Sequence, residues 1–367
     1  MAKGMYIGVD GVARKVQQMY VGVGGKARKV KKGYIGVGGK ARQFWSGGEL
    51  AYYGTATPLS VVMYDHAATT VGNYALFGGS NLTSSSRVVN AYSNTLTRSV
   101  PTSLSSGRYE LAATAVGSYA LFGGGWDGED HYTDVDAYNT SLTKSVATSF
   151  TNTTHSYAAT TVGSYALFGS GKASAYRTTL YAYNTSLTMT SRSAFSPARA
   201  WLAATTVGGY ALFGGGLASG GVSNVVDAFN SSLTQSNATA LSSARRYLAA
   251  TTVGNYALFG GGYGSGAFNV VDTYNASLTK STAATLSVAR YYLAATTVGD
   301  YALFGGGHDG SGVSSVVDSY DTSLTRTTAT SLSTARRHLM ATTVGDYALF
   351  GGGYTSSGSS VVDVYMA

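Results

Sequence analysis

The chain lacks cysteine altogether, has only three prolines, and draws just 11% of its residues from Asp, Glu, Lys and Arg. Without cysteine it can form neither a disulfide framework nor a thiolate metal site. It contains no run of 18 apolar residues, so the sequence predicts no membrane-spanning helix. The opening residues, MAKGMYIGVDG, have no apolar segment of the kind found in secretory signals. We therefore expect no signal peptide and no membrane insertion.

Glycine is abundant, at 49 of 367 residues, and serine, threonine and tyrosine are frequent. This composition is typical of an all-β protein with many tight turns. The net charge of +8 is unevenly distributed. Residues 1–46 contain ten Lys or Arg and one acid, Asp10, whereas the rest of the chain is nearly neutral. The two parts therefore have different tasks.

Two repeat systems divide the chain in the same way. The first has a period of 14 residues: MYIGVDGVARKVQQ (5–18), MYVGVGGKARKVKK (19–32) and GYIGVGGKARQFWS (33–46). Each unit has a β-prone half, a DG or GG pair and a basic half. Because these pairs favour two-residue hairpin turns, the pattern predicts three consecutive β-hairpins. We assign residues 1–47 to a small basic hairpin module.

The second system repeats the motif VGNYALFGG seven times, at intervals of 45 or 46 residues. Seven units of this length, each with four short strand-like segments, predict a seven-bladed β-propeller over residues 48–367. In unit five, strand a is RRYLAATTV (245–253), strand b is YALFG, strand c is NVVDTY (269–274), and strand d lies within SLTKSTA (277–283). The small residues of AATT place strand a at the crowded axis.

The fragment TATPLS (55–60) predicts how the ring closes. In later units, strand d leads into TATSLS (328–333) or TAATLS (282–287) before the next strand a. The seventh unit ends at strand c and has no strand d. Residues near 49–57 should therefore supply the outer strand of the seventh blade.

The long units resemble kelch repeats. The matching features are the Arg before strand a (Arg245), the hydrophobic strand ending in Gly-Gly (YALFGG, 256–261) and the acid-x-Tyr of strand c (Asp272 and Tyr274). The chain departs from kelch units at strand d, where SLT replaces the usual Trp. The resemblance implies a propeller that binds a protein or a sugar, since few kelch propellers are oxidases.

The 14-residue units look like the YIGVxGxARK repeats encoded near structural genes of phages and prophages of Gram-positive bacteria. This second resemblance implies a role in a virion, with the protein made in the host cytoplasm.

The Arg before strand a could form a ring of ligand-binding cations, but its distribution favours ion pairs inside the blades. It occurs only in the units that also have an acid on strand c, and partners of a buried pair tend to be lost together. Unit one has Met63 and Asn90 instead, and unit three has Thr154 and Tyr181. The predicted pairs are Arg108–Asp136, Arg199–Asp227, Arg245–Asp272, Arg290–Asp318 and Arg336–Asp363.

The b–c loops vary most between units, and propeller loops often form binding surfaces. They could equally be ordinary variable loops. Aromatic and polar groups there would suit a sugar ring or a protein partner, and units one to three are the first place to look. The candidate ligand-binding residues are Trp126, Asp127, Glu129, His131, Tyr132, Tyr176, Arg177, Tyr263, His308 and Tyr354.

Metal and catalytic sites find little support in the sequence. Asp127, Glu129, Asp130 and Asp134 could hold calcium, but their spacing matches no EF-hand loop and a solvated acidic loop is favoured. We predict no metal and no cofactor. The five histidines show no metal-ligand spacing, and the chain has no nucleophile elbow. We expect a non-enzymatic protein, with a lyase or hydrolase built across the loops as the alternative.

The basic hairpins could grip nucleic-acid phosphates, dock onto other virion proteins, associate with copies of the same chain, or remain a solvated tail. We favour docking or self-association, because short hairpins need further burial, and we disfavour nucleic acid. The anchoring residues would be Lys26, Arg28, Lys29, Lys31, Lys32, Lys40 and Arg42.

Together these features predict a phage fibre or adhesin on the particle surface. The hairpins would anchor it and the propeller would bind a host-surface glycan or protein. The alternatives are a capsid or tail decoration protein without receptor binding, and a propeller enzyme acting on polysaccharide.

Overall fold

A computed structural model describes residues 49–81 and 86–367 in full, and the backbone alone for six strands between residues 6 and 45. Every regular element in the described residues is a β-strand, so the all-β class is confirmed. No helix in this part of the chain is long and apolar enough to cross a membrane.

The six N-terminal strands pair as three separate antiparallel two-stranded sheets, as expected for hairpins. They are β1 (Tyr6–Val9) with β2 (Val12–Lys15), β3 (Tyr20–Val23) with β4 (Lys26–Lys29), and β5 (Gly33–Val37) with β6 (Lys40–Trp45). Of the predicted anchoring residues, Lys31 and Lys32 lie outside the described residues. The side chains of Lys26, Arg28, Lys29, Lys40 and Arg42 do as well, so their role stays a prediction.

The rest of the described chain forms seven four-stranded antiparallel sheets, each in the order a-b-c-d. We number the sheets one to seven by the unit that supplies strand a. The a strands are β8 (Ala67–Val71), β12 (Ala112–Val116), β16 (Ala158–Val162), β21 (Ala203–Val207), β27 (Ala249–Val253), β31 (Ala294–Val298) and β35 (Met340–Val344). The b strands are β9 (Tyr74–Ser80), β13 (Tyr119–Gly123), β17 (Tyr165–Gly169), β22 (Tyr210–Gly214), β28 (Tyr256–Gly260), β32 (Tyr301–Gly305) and β36 (Tyr347–Gly351).

Strands c and d form the outer half of each sheet. The c strands are β10 (Ser86–Ser93), β14 (Val135–Asn139), β18 (Thr179–Tyr183), β25 (Val226–Asn230), β29 (Val271–Asn275), β33 (Val317–Asp321) and β37 (Val362–Met366). The d strands are β11 (Arg98–Ser99), β15 (Lys144–Val146), β19 (Met189–Ser193), β26 (Gln235–Ala238), β30 (Lys280–Thr282), β34 (Arg326–Ala329) and β7 (Ala51–Thr55). A small three-stranded sheet in unit four comprises β20 (Arg199–Ala200), β23 (Leu217–Ala218) and β24 (Gly221–Val222).

The seventh sheet takes its outer strand from the beginning of the long-repeat region. β7 pairs antiparallel with β37, with Thr55 opposite Asp363 and Ala51 opposite Met366. The hydroxyl of Tyr52 donates a hydrogen bond to the carboxylate of Asp363 at 2.7 Å. This is the pairing that the TATPLS fragment predicts.

Strand a is shorter than the sequence pattern predicts. In unit five it begins at Ala249, not at Arg245, because Tyr247 has a left-handed backbone conformation that ends regular pairing. The same break occurs in every unit. The residues just before strand a are therefore a separate structural segment.

The core lies between neighbouring sheets. Each apolar cluster combines residues of two successive sheets, and one cluster combines sheet seven with sheet one. The Phe of each strand b is fully buried and packs against a glycine of the preceding sheet. A Cβ at Gly351 would lie 2.7 Å from the ring of Phe77, so only glycine fits where sheet seven meets sheet one. The sheets thus contact one another in a cycle, and the architecture is propeller-like.

Threonine hydroxyls connect the a strands. The hydroxyl of Thr206 donates to the carbonyl of Thr161 at 2.6 Å and lies 2.9 Å from the hydroxyl of Thr160. The same hydroxyl pair joins every neighbouring pair of sheets except one and two, where Ala115 replaces the threonine. These threonines line an open axial cavity of about 500 Å³.

Each Arg before strand a contacts the predicted Asp of strand c in its own sheet. In sheet five, Nη2 of Arg245 lies 2.9 Å from Oδ2 of Asp272, and both side chains are fully buried. The other pairs are Arg108–Asp136 (2.8 Å), Arg199–Asp227 (2.5 Å), Arg290–Asp318 (2.5 Å) and Arg336–Asp363 (2.7 Å). These arginines are therefore structural and do not form a ring of exposed cations.

Further hydrogen bonds compensate for burying the two charges. Arg245 also donates to the carbonyl of Phe259, and Asp272 accepts from the backbone N–H and the hydroxyl of Ser242. Burial alone would raise the pKa of Asp272, but the Ser242 hydrogen bond and the Arg245 charge hold it below its usual value. Burial lowers the pKa of Arg245, and Asp272 offsets part of that effect.

The two units without the pair replace it with neutral groups. In unit one, Asn90 accepts a hydrogen bond from the N–H of Ser60 at 2.9 Å, and its amide nitrogen lies 3.5 Å from the sulfur of Met63. In unit three, the hydroxyl of Tyr181 accepts from the N–H of Asn152 at 3.1 Å. The chain thus contains neutral substitutes for its own ion pair.

We expect Arg245→Ala and Asp272→Ala to destabilise the protein by similar amounts, about 3–5 kcal/mol each, because each breaks the buried ion pair by removing one partner. The double variant Arg245→Met/Asp272→Asn copies unit one and should be more stable than either single variant. Chemical denaturation measures all three free energies of unfolding. A double variant as unstable as the sum of the singles would contradict this account.

Candidate functional site

The segment before strand a forms a ring around one end of the axis. The residue two positions after the Arg, or after its replacement, has φ between 48° and 58° in all seven units. We call these residues the axial ring. Its members are Asp65, Glu110, Ser156, Trp201, Tyr247, Tyr292 and His338. Because strand b runs antiparallel to strand a, the b–c loops lie at the same end of the sheets as this ring.

A closed cycle of backbone hydrogen bonds holds the axial ring. The N–H of each member donates to the carbonyl of the member in the preceding sheet. The donor–acceptor pairs are Glu110 to Asp65 (2.8 Å), Ser156 to Glu110 (2.8 Å), Trp201 to Ser156 (3.4 Å), Tyr247 to Trp201 (3.1 Å), Tyr292 to Tyr247 (3.0 Å), His338 to Tyr292 (3.1 Å) and Asp65 to His338 (3.3 Å). The cycle fixes the left-handed conformation, which bulky residues rarely adopt.

The axial ring differs from the other left-handed position of the repeat. At the c–d corner, the left-handed residue is leucine in all six units that have that corner, and it packs on the core. In the axial ring, seven equivalent positions carry six residue types. A purely structural requirement would allow the same residue each time. The variation therefore points to a role for these side chains beyond folding.

One side of the axial ring is aromatic. The ring centroids of Tyr247 and Tyr292 are 4.1 Å apart, and those of Tyr292 and His338 are 3.8 Å apart in a stacked arrangement. Trp201 meets Tyr247 edge-to-face at 5.8 Å. Four consecutive sheets thus contribute one continuous row of aromatic side chains.

The other side of the axial ring is acidic. The carboxylate of Asp65 contacts Nδ1 of His338, where the row of aromatic side chains ends. Glu110 accepts a hydrogen bond from the hydroxyl of Ser156, and its Oε2 lies 2.6 Å from Nδ1 of His155. Both carboxylates are partly exposed, at 17% and 28%.

All seven members line a cavity of about 250 Å³ at the axis, which we call the mouth cavity. A second cavity of about 260 Å³ adjoins it beneath Tyr247, Tyr292 and His338 and is lined mainly by Ala and Leu. Polar groups converging on a partly apolar cavity are typical of small-molecule sites, although each volume is at the small end of the usual range of roughly 300–1,000 Å³.

His66 lies in the floor of the mouth cavity. It is 2% exposed, and neither ring nitrogen forms a hydrogen bond of normal geometry. Burial lowers the pKa of His66 to about 3, and the backbone of Gly351 offsets only part of that effect. The imidazole is therefore neutral at physiological pH. Five other units have leucine at this position.

The predicted b–c loop residues of unit two form a cluster beside the axial ring. Trp126 stacks on His131 at 5.8 Å and lies 5.5 Å from His155, which in turn contacts Glu110. Tyr132 donates a hydrogen bond to Asp127 at 2.6 Å, which lowers the pKa of Asp127 and raises that of Tyr132 to about 12. Glu129 is exposed on the same loop.

The other predicted loop residues also flank the axial ring through the residues just before it. Tyr176 meets Trp201 at 6.4 Å, Tyr263 and His308 both contact Tyr291, and Tyr354 packs against Arg337. Arg177 is half-buried in the loop of unit three. The structure thus arranges the loop residues around a centre that we did not predict.

Within residues 49–81 and 86–367, no group of three or more His, Asp or Glu is arranged to hold a metal ion. Asp127 instead accepts hydrogen bonds from the N–H groups of Glu129 and Asp130. The acidic loop is therefore held by its own backbone.

Sequence reasoning missed the axial ring, although a signal was present. Between the Arg and the AATT of strand a, the chain reads RYEL, RAWL, RRYL, RYYL and RRHL in otherwise similar units. The third letter changes almost every time. Because we assigned it to strand a, we treated the change as ordinary variation.

No protein-family model matches the chain, and no curated protein matches it either. The functional argument therefore depends on the site itself.

We expect His66 to make stability strongly dependent on pH. In the folded protein its pKa is about 3, below the usual 6.5. The free energy of unfolding therefore has its full value above pH 6.5 and decreases as the pH falls towards 3. The loss is on the order of 4 kcal/mol.

The variant His66→Leu, which carries the residue found in five other units, should not show this loss of stability at low pH. Denaturation curves of both proteins between pH 3 and 7 measure the difference. The carboxylates contribute equally to both proteins, so any difference between the two pH profiles comes from His66. Parallel pH profiles would refute the assignment.

Proposed function

We propose that the seven sheets are the blades of a closed seven-bladed β-propeller, and that the protein is a non-enzymatic receptor-binding component of a phage particle. The cycle of backbone hydrogen bonds through the axial ring supports closure, as do the apolar clusters between successive sheets. The resemblance of the 14-residue units to repeats encoded near phage structural genes supports the virion setting.

The observation that carries the binding function is the axial ring. A nearly invariant scaffold presents seven side chains around one cavity, and these side chains differ from sheet to sheet. Their backbone is held in a conformation that costs free energy for bulky residues, and such strain often occurs at functional sites. Binding explains why the chain keeps Trp, Tyr and His there instead of glycine.

The ligand we propose is a glycan or a protein on the surface of the host cell. Tyrosine and tryptophan offer apolar surface with a polar edge, and carboxylates accept hydrogen bonds from hydroxyl groups. The mouth cavity would hold one terminal group, and the loops with Trp126, Tyr176 and Tyr263 would contact its surroundings.

The course of β7 is consistent with anchoring from the opposite face. Ala51 pairs with Met366 at the end of strand c, where the c–d corners and a–b turns lie. The chain therefore joins the seventh sheet at the end away from the mouth cavity. An anchor formed by residues 1–47 would leave the mouth free to meet the host.

We expect the labelled full chain to bind intact Gram-positive host cells, and Ser156→Tyr and Trp201→Ala to weaken this binding at least tenfold. Ser156→Tyr fills the mouth cavity with a residue that two other units carry at the same position. Trp201→Ala removes an aromatic edge of the ring. Flow cytometry on a panel of Gram-positive strains measures the effect.

Val146→Ala, on the exposed outer strand of sheet two, is the control and should bind like the unaltered chain. Circular dichroism should show that all variants are folded. Full binding by both mouth variants would contradict the proposed site. Binding to purified particles but to no cell would favour a decoration protein, and release of reducing sugar from cell-wall polysaccharide would favour an enzyme.

A further inference from the structure

The charge of the mouth cavity limits the ligands it can take. Among the described residues that line it, the charged side chains are Asp65 and Glu110, and none is Lys or Arg. Lys172 and Arg246 contact the rings of Trp201 and Tyr247 without lining the cavity. Two neighbouring carboxylates in a confined site repel an anion and attract a cation.

Each carboxylate has one oxygen held by a neighbouring side chain, and each side chain is partly exposed. The neighbouring His338 occupies Oδ1 of Asp65, and Ser156 and His155 occupy Oε2 of Glu110. In the described part of the chain, no hydrogen bond occupies Oδ2 of Asp65 or Oε1 of Glu110. These two oxygens are positioned by their partners and remain available as acceptors.

His66 is part of the wall of the same cavity, although its ring nitrogens are not exposed. Its side chain is buried and its ring nitrogens form no hydrogen bond of normal geometry. A neutral imidazole always has one nitrogen that accepts a hydrogen bond. The neutral imidazole therefore adds no positive charge to the mouth cavity.

We infer that the mouth cavity takes the protonated amino group of an amino sugar, through Asp65 and Glu110. A primary ammonium has three N–H donors, two of which can bond to the free oxygens of these carboxylates. Ser156, Tyr247 and Tyr292 line the same cavity, and residues with hydroxyl groups suit the hydroxyls of a sugar ring. This inference rests on the proposal that the mouth cavity is the ligand site.

The geometry favours an amino sugar over a lysine side chain. A lysine would bring its ammonium on an apolar stem, whereas three members of the axial ring, Ser156, Tyr247 and Tyr292, carry hydroxyl groups. Acidic sugars and phosphates are disfavoured by charge, and N-acetylation would remove both the charge and two of the donors.

The test is isothermal titration of the full chain with methyl glucosaminide and with chito-oligosaccharides before and after N-acetylation. We expect the free amine to bind at least tenfold more tightly than the acetylated form. Asp65→Asn and Glu110→Gln should each weaken binding of the free amine by about 10- to 100-fold, because each removes a hydrogen bond between charged groups. Both substitutions preserve size, and asparagine tolerates the left-handed backbone at residue 65.

Asp300→Asn is the matched control, since it removes an exposed carboxylate in the a–b turn of unit six, at the opposite end of the sheets from the mouth cavity. It should leave the affinity for methyl glucosaminide unchanged. Equal affinity for the free and acetylated sugars, or normal binding by both Asp65→Asn and Glu110→Gln, would overturn the inference. Stronger binding of a lysine amide than of the glucosaminide would show that the amine belongs to a protein.

The outcome can be separated from that of the proposed function. If Ser156→Tyr abolishes cell binding while the free amine has no advantage, the mouth is the site but its ligand is not an amino sugar. If Ser156→Tyr has no effect on cells and no sugar binds, both proposals are wrong.

Discussion

The segment before strand a is the constraint on which the rest of the structure depends, because it joins each sheet to itself and to its neighbour. In unit five, the side chain of Arg245 binds Asp272 in its own sheet, while its carbonyl accepts a hydrogen bond from Gly216 of the preceding sheet at 2.9 Å. Two residues later, the N–H of Tyr247 donates to Trp201 and continues the cycle. The buried charge thus fixes a backbone that carries the axial ring. Changes to the ion pair should therefore affect stability and the shape of the mouth together.

This arrangement separates the residues that fold the protein from those that can recognise a ligand. The Phe of strand b and the threonines of strand a are nearly the same in every unit, and they account for the core and the axial hydrogen bonds. The axial ring is held by backbone hydrogen bonds, which any side chain permits. Its side chains can therefore vary without disturbing the sheets. Two exceptions show the limit: Met63 with Asn90, and Thr154 with Tyr181, change the interior only by replacing both partners of a pair.

The sequence predicted the features that depend on local pattern or on paired changes. The repeat period predicted the four-stranded sheets, TATPLS predicted the pairing of β7 with β37, and the joint absence of Arg and Asp from units one and three predicted which residues pair. The axial ring could not be predicted in this way, because its conformation depends on hydrogen bonds between residues 45 or more positions apart. A single varying letter beside AATT looked like the edge of a strand. The loops drew attention instead because their lengths differ, and they proved to surround the ring.

The distribution of side chains around the ring matters as much as their identity. Seven identical units would give a symmetric mouth, and a small ligand could bind there in seven equivalent orientations. Here the carboxylates come from sheets one and two, whereas the aromatic residues come from sheets four to seven. His66, in sheet one, places the buried imidazole on the acidic side. A ligand with one charged end and one uncharged end would therefore have a single preferred orientation.

This orientation would also fix how a larger receptor lies over the loops. The acidic loop of unit two and the tyrosines of units five and seven would then each contact a different part of that receptor. The loss of symmetry at one position per repeat would be enough to give a ligand bound at this ring a single direction.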